Sequence, residues 1–69
     1  MENRIKELRT ARNLTQAELA ETIFVSSRTI ISLEKGQYNP SVLLAYKLAL
    51  VFGCAIEEVF IFGKEDGIL

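Results

Sequence analysis

A short polar face in the middle of the chain carries the side chains best suited to recognising another molecule. Ile30 and Leu33 have helical spacing and predict the apolar back of a helix that ends at Lys35-Gly36. The opposite face carries small hydroxyl groups and one guanidinium: Ser27, Arg28, Thr29 and Ser32. An arginine can donate two parallel hydrogen bonds to guanine O6 and N7, and small hydroxyls can bond to several base edges. The pattern therefore favours a helix that lies in the major groove of DNA.

Two predicted helices position this polar face. Thr15 and Glu18 have the spacing of a capping box, so a short helix is predicted to begin directly after Thr15. Its apolar positions keep to helical spacing: Ala17, Leu19, Ala20 and Ile23. The pattern breaks at Phe24-Val25, and Ser26 offers a second N-cap. Residues 16–35 are therefore predicted to form a helix-turn-helix motif.

Further helices are expected on both sides of this motif. The apolar spacing and the end signals predict three of them: residues 2–12, 41–52 and 56–60. Residues 61–69 lack a helical pattern, because Phe60-Ile61-Phe62 has strand-like composition and Gly63 and Gly67 oppose a helix. The chain is thus predicted to be all-α, with five helices in one domain over residues 1–69 and a possible short C-terminal strand.

Composition argues against several other classes of protein. The chain has no histidine and one cysteine, Cys54, so neither a zinc site nor a Cys–His nucleophile is expected. We therefore predict no enzymatic activity, cofactor, metal or small-molecule substrate. No apolar run approaches the ~20 residues that span a bilayer, and no secretory signal is visible. A lone cysteine fits a reducing compartment, so we expect a cytoplasmic protein associated with the nucleoid.

The charge distribution qualifies the prediction of DNA binding. The formal net charge is −1, whereas contacts with phosphates usually require a basic surface. Residues 1–50 contain seven cations and five anions, a net charge of +2, and residues 51–69 contain one cation and four anions, a net charge of −3. The acidic part thus lies away from the predicted reading helix. We expect the affinity for DNA to be modest and salt-sensitive.

The predicted motif resembles the helix-turn-helix of the phage repressor and Cro (Xre-type) family of regulators. The resemblance rests on one glutamine and four apolar positions: Gln16, Ala20, Val25, Ile30 and Leu33. It continues into the flanking segments and covers roughly residues 2–62. It implies a sequence-specific transcriptional regulator of double-stranded DNA, and more narrowly a repressor. Because one reading helix spans only a few base pairs, we expect a homodimer that binds a pseudo-palindromic operator.

The resemblance also implies eight DNA-binding residues: Gln16, Ser27, Arg28, Thr29, Ser32, Lys35, Tyr38 and Asn39. Gln16 matches a glutamine that contacts a phosphate and braces the reading helix. The two serines and Arg28 match positions that face base edges, although Arg28 could instead contact a phosphate. Thr29 and Lys35 each keep two interpretations, a phosphate contact or a local role at a helix end. Tyr38 and Asn39 match positions that touch the sugar-phosphate backbone, and their residue types also suit a turn.

Three structural expectations come from comparison with the family pattern. Arg9 and Glu34 match a pair that ties the first helix to the third. Phe24 occupies a turn position that is often glycine because the backbone there is left-handed. A phenylalanine in that conformation should cost about 1–2 kcal/mol, unless the turn is reshaped or burial of the ring compensates. Ala55 stands where a serine usually caps the fifth helix, so that helix should fray more readily.

The fourth predicted helix is more apolar than a small core requires. Only Lys47 is charged in residues 42–52, so no wide polar face remains. Two leucines seven residues apart lie on a face where the family commonly has polar residues. We predict a dimer interface containing Leu43, Leu50, Phe60 and Phe62. An over-filled core is the alternative interpretation. The same surface would also serve an antitoxin-like or anti-repressor protein, whose main partner is another protein.

Overall fold

The computed structural model describes residues 1–37 and 39–63. Within them the chain folds into five helices: α1 (Ile5–Ala11), α2 (Gln16–Thr22), α3 (Ser27–Glu34), α4 (Val42–Phe52) and α5 (Ile56–Val59). The predicted all-α architecture with a helix-turn-helix is confirmed, with α2 and α3 forming the motif. The predictions for Tyr38 and for the last six residues of the tail lie outside the described residues.

α2, α3 and α4 each begin with a side-chain cap, and the caps of α2 and α3 are those that the sequence predicts. Glu18 N donates to Thr15 Oγ1 (3.0 Å) and Thr15 N donates to Glu18 Oε1 (2.8 Å), which completes the capping box of α2. Hydrogen bonds from the backbone amide and from the side chain of Thr15 lower the pKa of the Glu18 carboxyl. Ser26 and Ser41 each accept from the backbone amide three residues on, at 3.2 and 3.1 Å. Local hydrogen bonds therefore fix where α2, α3 and α4 begin.

The N-terminal segment pairs with the segment that follows α5. Backbone contacts join them: Arg4 N donates to Val59 O (2.7 Å), Ile61 N donates to Glu2 O (2.9 Å), and an antiparallel bridge links Asn3 and Phe60. Because of this pairing, α1 begins at Ile5 rather than at residue 2, and α5 ends at Val59, one residue earlier than predicted. Residues 60–62, whose composition is strand-like, thus contribute a single antiparallel bridge.

Side chains from all five helices pack into one buried cluster. Its members are Ile5, Leu19, Ala20, Ile23, Ile30, Leu33, Ala45, Leu48, Ala49, Phe52, Val59 and Phe60. Phe60 is 1% exposed, so the prediction that it belongs to a dimer interface is wrong. The bridge to Asn3 turns this residue inward, and burial of a phenylalanine side chain stabilises a fold by about 1.5–3 kcal/mol. In the part of the chain that the structure describes, no helix is long and apolar enough to cross a membrane.

The turn between α2 and α3 contains a left-handed phenylalanine. Phe24 has φ +60°, as the family pattern implies for this position. Its side chain is 87% exposed, so burial of the ring does not compensate for the backbone conformation. The ring contacts the Lys47 ammonium instead, with Nζ 5.8 Å from the ring centroid. Such a contact is worth about 0.5–1 kcal/mol at an exposed site, less than the expected cost of the turn.

Replacement of Phe24 by glycine should therefore leave the fold intact and either neutral or stabilised. The left-handed strain of about 1–2 kcal/mol is relieved, while the cation–π contact is lost and the unfolded chain gains freedom. Denaturant titration measures the free energy of unfolding. The matched control is Phe24→Ala, which removes the ring and keeps the strained Cβ, and it should be less stable than Phe24→Gly. A loss of several kcal/mol for the glycine variant would show that the ring contributes to the core.

Candidate nucleic-acid interface

The outward face of α3 presents a row of polar side chains. Ile30 and Leu33 are buried on the inner side of this helix. Arg28, Ser32 and Lys35 are spaced four and three residues apart, so they lie along one face. Arg28 is exposed, and in residues 1–37 and 39–63 its guanidinium makes no hydrogen bond or ion pair. This face therefore presents a guanidinium whose donors are available to an acceptor outside the chain.

A buried ion pair fixes the orientation of α3 against the two preceding helices. Arg9 Nε lies 2.7 Å from Glu34 Oε2, and Arg9 Nη2 lies 3.3 Å from Glu34 Oε1. Arg9 Nη1 also donates to the carbonyl oxygen of Leu14 (2.8 Å). The predicted link between the first and third helices is thus present, in a two-point geometry. Since a buried pair adds little net stability, its main effect is to orient α3.

Gln16 joins the same network from the first position of α2. Its Nε2 donates to Glu34 Oε1 at 3.1 Å, and the side chain is half-buried. The glutamine therefore braces the reading helix, as the resemblance implies. Nε2 carries two hydrogens, so one donor remains beyond the bond to Glu34. The phosphate contact of Gln16 stays a prediction.

The other residues that are predicted to contact DNA differ in the exposure of their side chains. Ser27, in the first turn of α3, is exposed, and so is Asn39 in the loop before α4. Thr29 is half-buried, and its hydroxyl lies 3.0 Å from the hydroxyl of Ser26. This pairing favours the local role of Thr29 at the helix start over a phosphate contact. Ser26 itself caps α3 rather than facing outward.

Lys35 is the exposed C-terminal cap of α3. Its backbone amide donates to Ile31 O (3.1 Å), and Gly36 follows in the left-handed conformation, with φ +72°. A cation at this end favours the negative end of the helix dipole and can also reach a phosphate.

Replacement of Lys35 by alanine should weaken binding to all DNA sequences alike. One phosphate contact fewer reduces the slope of log affinity against log salt concentration by about 0.9. Fluorescence anisotropy with a specific duplex and an unrelated duplex, each at several salt concentrations, measures both effects. Lys6→Ala is the matched control, since it removes the same charge from an exposed position on α1, which carries none of the predicted DNA-binding residues. A selective loss on the specific duplex would contradict a phosphate contact.

A second surface, on the outward side of α4, is apolar. Four exposed side chains form this α4 stripe: Val42, Leu43, Tyr46 and Leu50. Phe62, 45% exposed, lies nearby and lines a shallow apolar pocket together with Val42. The sequence analysis missed Val42 and Tyr46, although their four-residue spacing with Leu50 on a helix without a polar face could have identified them. The apolar side chains of the α4 stripe are thus exposed to water in the isolated chain.

These features define a helix-turn-helix DNA-binding fold whose reading helix is α3. The chain belongs to the Helix-turn-helix family HTH_3, whose sequence profile matches residues 5–59. It is therefore a DNA-binding transcriptional regulator, and members of this family are regulators rather than enzymes.

Relatives and solved structures agree with this assignment. Over 66 residues the chain is 54% identical to a protein of Archaeoglobus fulgidus described as an uncharacterized HTH-type transcriptional regulator, covering 96% of this chain and 93% of that protein. Over 57 residues it is 37% identical to the cryptic phage CTXphi transcriptional repressor RstR of Vibrio cholerae, covering 83% of this chain and 51% of RstR. The crystal structure of the restriction-modification controller protein C.AhdI from Aeromonas hydrophila superposes with a TM-score of 0.75 at 35% identity. That superposition covers 83% of this chain and 86% of the controller protein.

Proposed function

We propose that this protein is a transcriptional repressor that binds a pseudo-palindromic operator as a homodimer, on the nucleoid in the cytoplasm. The observation that carries the proposal is the exposed guanidinium of Arg28 on the polar face of a braced reading helix. A guanidinium in the major groove pairs with guanine O6 and N7, and this contact discriminates between bases. Ser27 and Ser32 on the same helix would add hydrogen bonds to neighbouring base edges.

The proposal of a homodimer rests on the α4 stripe. One reading helix contacts only a few base pairs, whereas two helices related by a two-fold axis can occupy successive major grooves about 34–36 Å apart. Leu43, Leu50 and Phe62 remain in the proposed interface, and Tyr46 and Val42 join them. A two-fold axis through this patch would place like apolar surfaces against each other, as isologous dimers do.

The repressor role is supported by the similarity to RstR, which is a transcriptional repressor. A protein that occupies an operator overlapping a promoter blocks access to that promoter. A reporter gene placed behind the operator tests this directly, and its output should fall when the protein is expressed. A rise in output would make the protein an activator and would leave the DNA-binding assignment intact.

Selection of duplexes from a random pool tests the operator. The purified protein should enrich a pseudo-palindromic sequence whose half-sites are centred about 10–10.5 base pairs apart, or a multiple of that spacing. The control is the same selection with the Arg28→Ala variant, which should enrich the guanine of each half-site less strongly. Absence of any enriched sequence with the wild-type protein would overturn the proposed function.

A second candidate function follows from the same α4 stripe. An antitoxin-like or anti-repressor protein would use these exposed apolar side chains to bind a different protein. Sedimentation of the purified chain separates the two candidates, because a homodimer covers the stripe without any other chain. A chain that sediments as a monomer on its own and co-purifies with a second small protein would favour the alternative.

A further inference from the structure

The side chain of Asn3 connects two helices through three hydrogen bonds. Asn3 Nδ2 donates to the carbonyl oxygen of Leu33 (2.7 Å), in the last turn of α3, and to that of Met1 (3.0 Å). Asn3 Oδ1 accepts from the backbone amide of Ile5 (3.1 Å), the first residue of α1. Both hydrogens and the oxygen of one amide are thus engaged. The half-buried Asn3 ties the end of the reading helix to the start of α1.

The backbone of the same residue connects this point to the proposed dimer surface. Asn3 forms the antiparallel bridge with Phe60, and Ile61 N donates to Glu2 O at 2.9 Å. Phe62, the next residue, is exposed beside the α4 stripe. A continuous series of direct contacts therefore runs from the last turn of α3, through Asn3, to the segment that carries Phe62.

The N-terminal segment also packs closely against the end of α3. The nitrogen of Met1 donates to Gly36 O at 2.8 Å. A Cβ atom added at Gly36 would lie 3.3 Å from Met1 O, so the two backbones approach closely here. The end of the reading helix is thus held by several contacts with residues 1–3. Asn3 also bonds to the first residue of α1 and forms the bridge with Phe60.

We propose that Asn3 is a positioning residue that sets the spacing of the two reading helices on DNA. This inference rests on the proposed function, since it requires a dimer on an operator. Two half-sites are bound together only when the reading helices are separated by about one helical repeat of DNA, or a multiple of it. Asn3 fixes the end of α3 relative to the segment leading to the interface, and so controls that separation. It contacts no base or phosphate itself.

The Asn3 side chain accepts a hydrogen bond at the start of α1 and donates one to the end of α3, and Asn3→Asp separates these two roles. The carboxylate keeps the size of the side chain and can still accept from the Ile5 amide, because aspartate, like asparagine, accepts from the amide two residues on. It has no hydrogen to donate to Leu33 O, and an oxygen would face that carbonyl oxygen. The start of α1 is therefore retained, whereas the tie to the reading helix is lost. Asn3→Ser gives the same separation without a charge, because serine also caps helix starts but is too short to reach Leu33.

The test uses the duplex that the wild-type protein enriches, a single half-site, and duplexes with the half-sites moved by one or two base pairs. Asn3→Asp loses both hydrogen bonds that the amide donates, to Leu33 O and to Met1 O. It should bind the full duplex about tenfold more weakly, because its reading helices no longer keep the spacing of the half-sites, and bind the half-site within about twofold of wild type. The affinities of Asn3→Asp for duplexes with different half-site spacings should differ less from one another than the affinities of the wild-type protein do. Asn13→Asp, which makes the same charge change at an exposed position, is the matched control and should keep the wild-type spacing preference.

Each outcome decides the proposal. An unchanged spacing preference in Asn3→Asp, or an equal loss on the full duplex and the half-site, would overturn it. Thermal unfolding by circular dichroism checks that each variant folds, and Asn3→Ser takes the place of Asn3→Asp if the latter does not. Loss of folding in both variants would also overturn the proposal, because Asn3 would then determine folding rather than spacing. Failure of the wild-type protein to enrich any duplex would instead overturn the proposed function.

Discussion

Arg28→Ala should weaken binding to the specific duplex by roughly 1–3 kcal/mol and relax the preference at one base position in each half-site. The arginine is exposed on the first turn of α3, and no group within the described residues competes for its donors. Its loss removes two parallel hydrogen bonds to guanine, while the fold loses no internal contact of the side chain. Binding to unrelated DNA should fall only by the contribution of one positive charge. Competition assays with duplexes changed at single positions measure the preference.

Arg28→Lys is the matched control for this prediction. Lysine keeps the positive charge but lacks the planar fork that pairs with guanine at two points. The variant should therefore bind unrelated DNA like wild type and still lose discrimination at the same base position. If Arg28→Ala leaves the sequence preference unchanged while the protein remains folded, the assignment of Arg28 to a base edge is wrong.

Local features of the fold were predictable because they depend on neighbouring residues. The caps at Thr15, Ser26 and Ser41 require a hydroxyl three residues before a free amide, and this spacing is visible in the sequence. The left-handed conformation of Phe24, in contrast, was expected only from the family pattern. Helix boundaries set by such short-range bonds therefore agree with the prediction.

The errors at Phe60 and at the start of α1 involve contacts between residues far apart in the chain. Phe60 was assigned to the interface because residues 60–62 are apolar and lie close to the fourth helix in the fold that the family resemblance implies. Its bridge to Asn3, more than fifty residues earlier, turns it into the core, and no local pattern indicates that pairing. The same pairing delays the start of α1 to Ile5. Asn3 was overlooked for the same reason, although asparagine side chains often accept from the backbone amide two residues on.

The predicted site residues also divide into those that helical spacing identifies and those that depend on tertiary contacts. Exposure of Arg28 and burial of Ile30 and Leu33 follow from helical spacing alone. The contact between Gln16 and Glu34 depends on how α2 crosses α3, so it was available only through the family resemblance. The polar face of α3 could thus be read from the sequence, whereas the network that orients it needed tertiary geometry.

Leu50→Glu should convert the protein to a monomer and abolish tight binding to the full operator, while weak binding to a half-site remains. Leu50 is 61% exposed in the isolated chain, so a glutamate there meets water and costs the monomer fold little. In the proposed dimer the same carboxylate would be buried against the like charge of its symmetry mate, which costs far more than exposure to water. The effect should therefore appear on association rather than on the structure of each subunit.

The thermal midpoint gives an independent measure of this dissociation. Association stabilises the folded state by mass action, so the midpoint of the wild-type protein should rise with protein concentration. In Leu50→Glu the midpoint should be lower and independent of concentration. Thr10→Glu, which adds the same charge at an exposed position on α1, is the control and should keep the wild-type behaviour.

Sedimentation of the wild-type protein at micromolar concentration decides whether the α4 stripe is the interface. A dimer that Leu50→Glu dissociates would mean that the two-fold axis passes close to α4, where Leu43, Tyr46 and Phe62 are also exposed. Two copies of α3 would then be held in a fixed relation, as a pseudo-palindromic operator requires. A wild-type species of monomer mass that still binds its full operator tightly would exclude this interface, and recognition would then depend on a single reading helix.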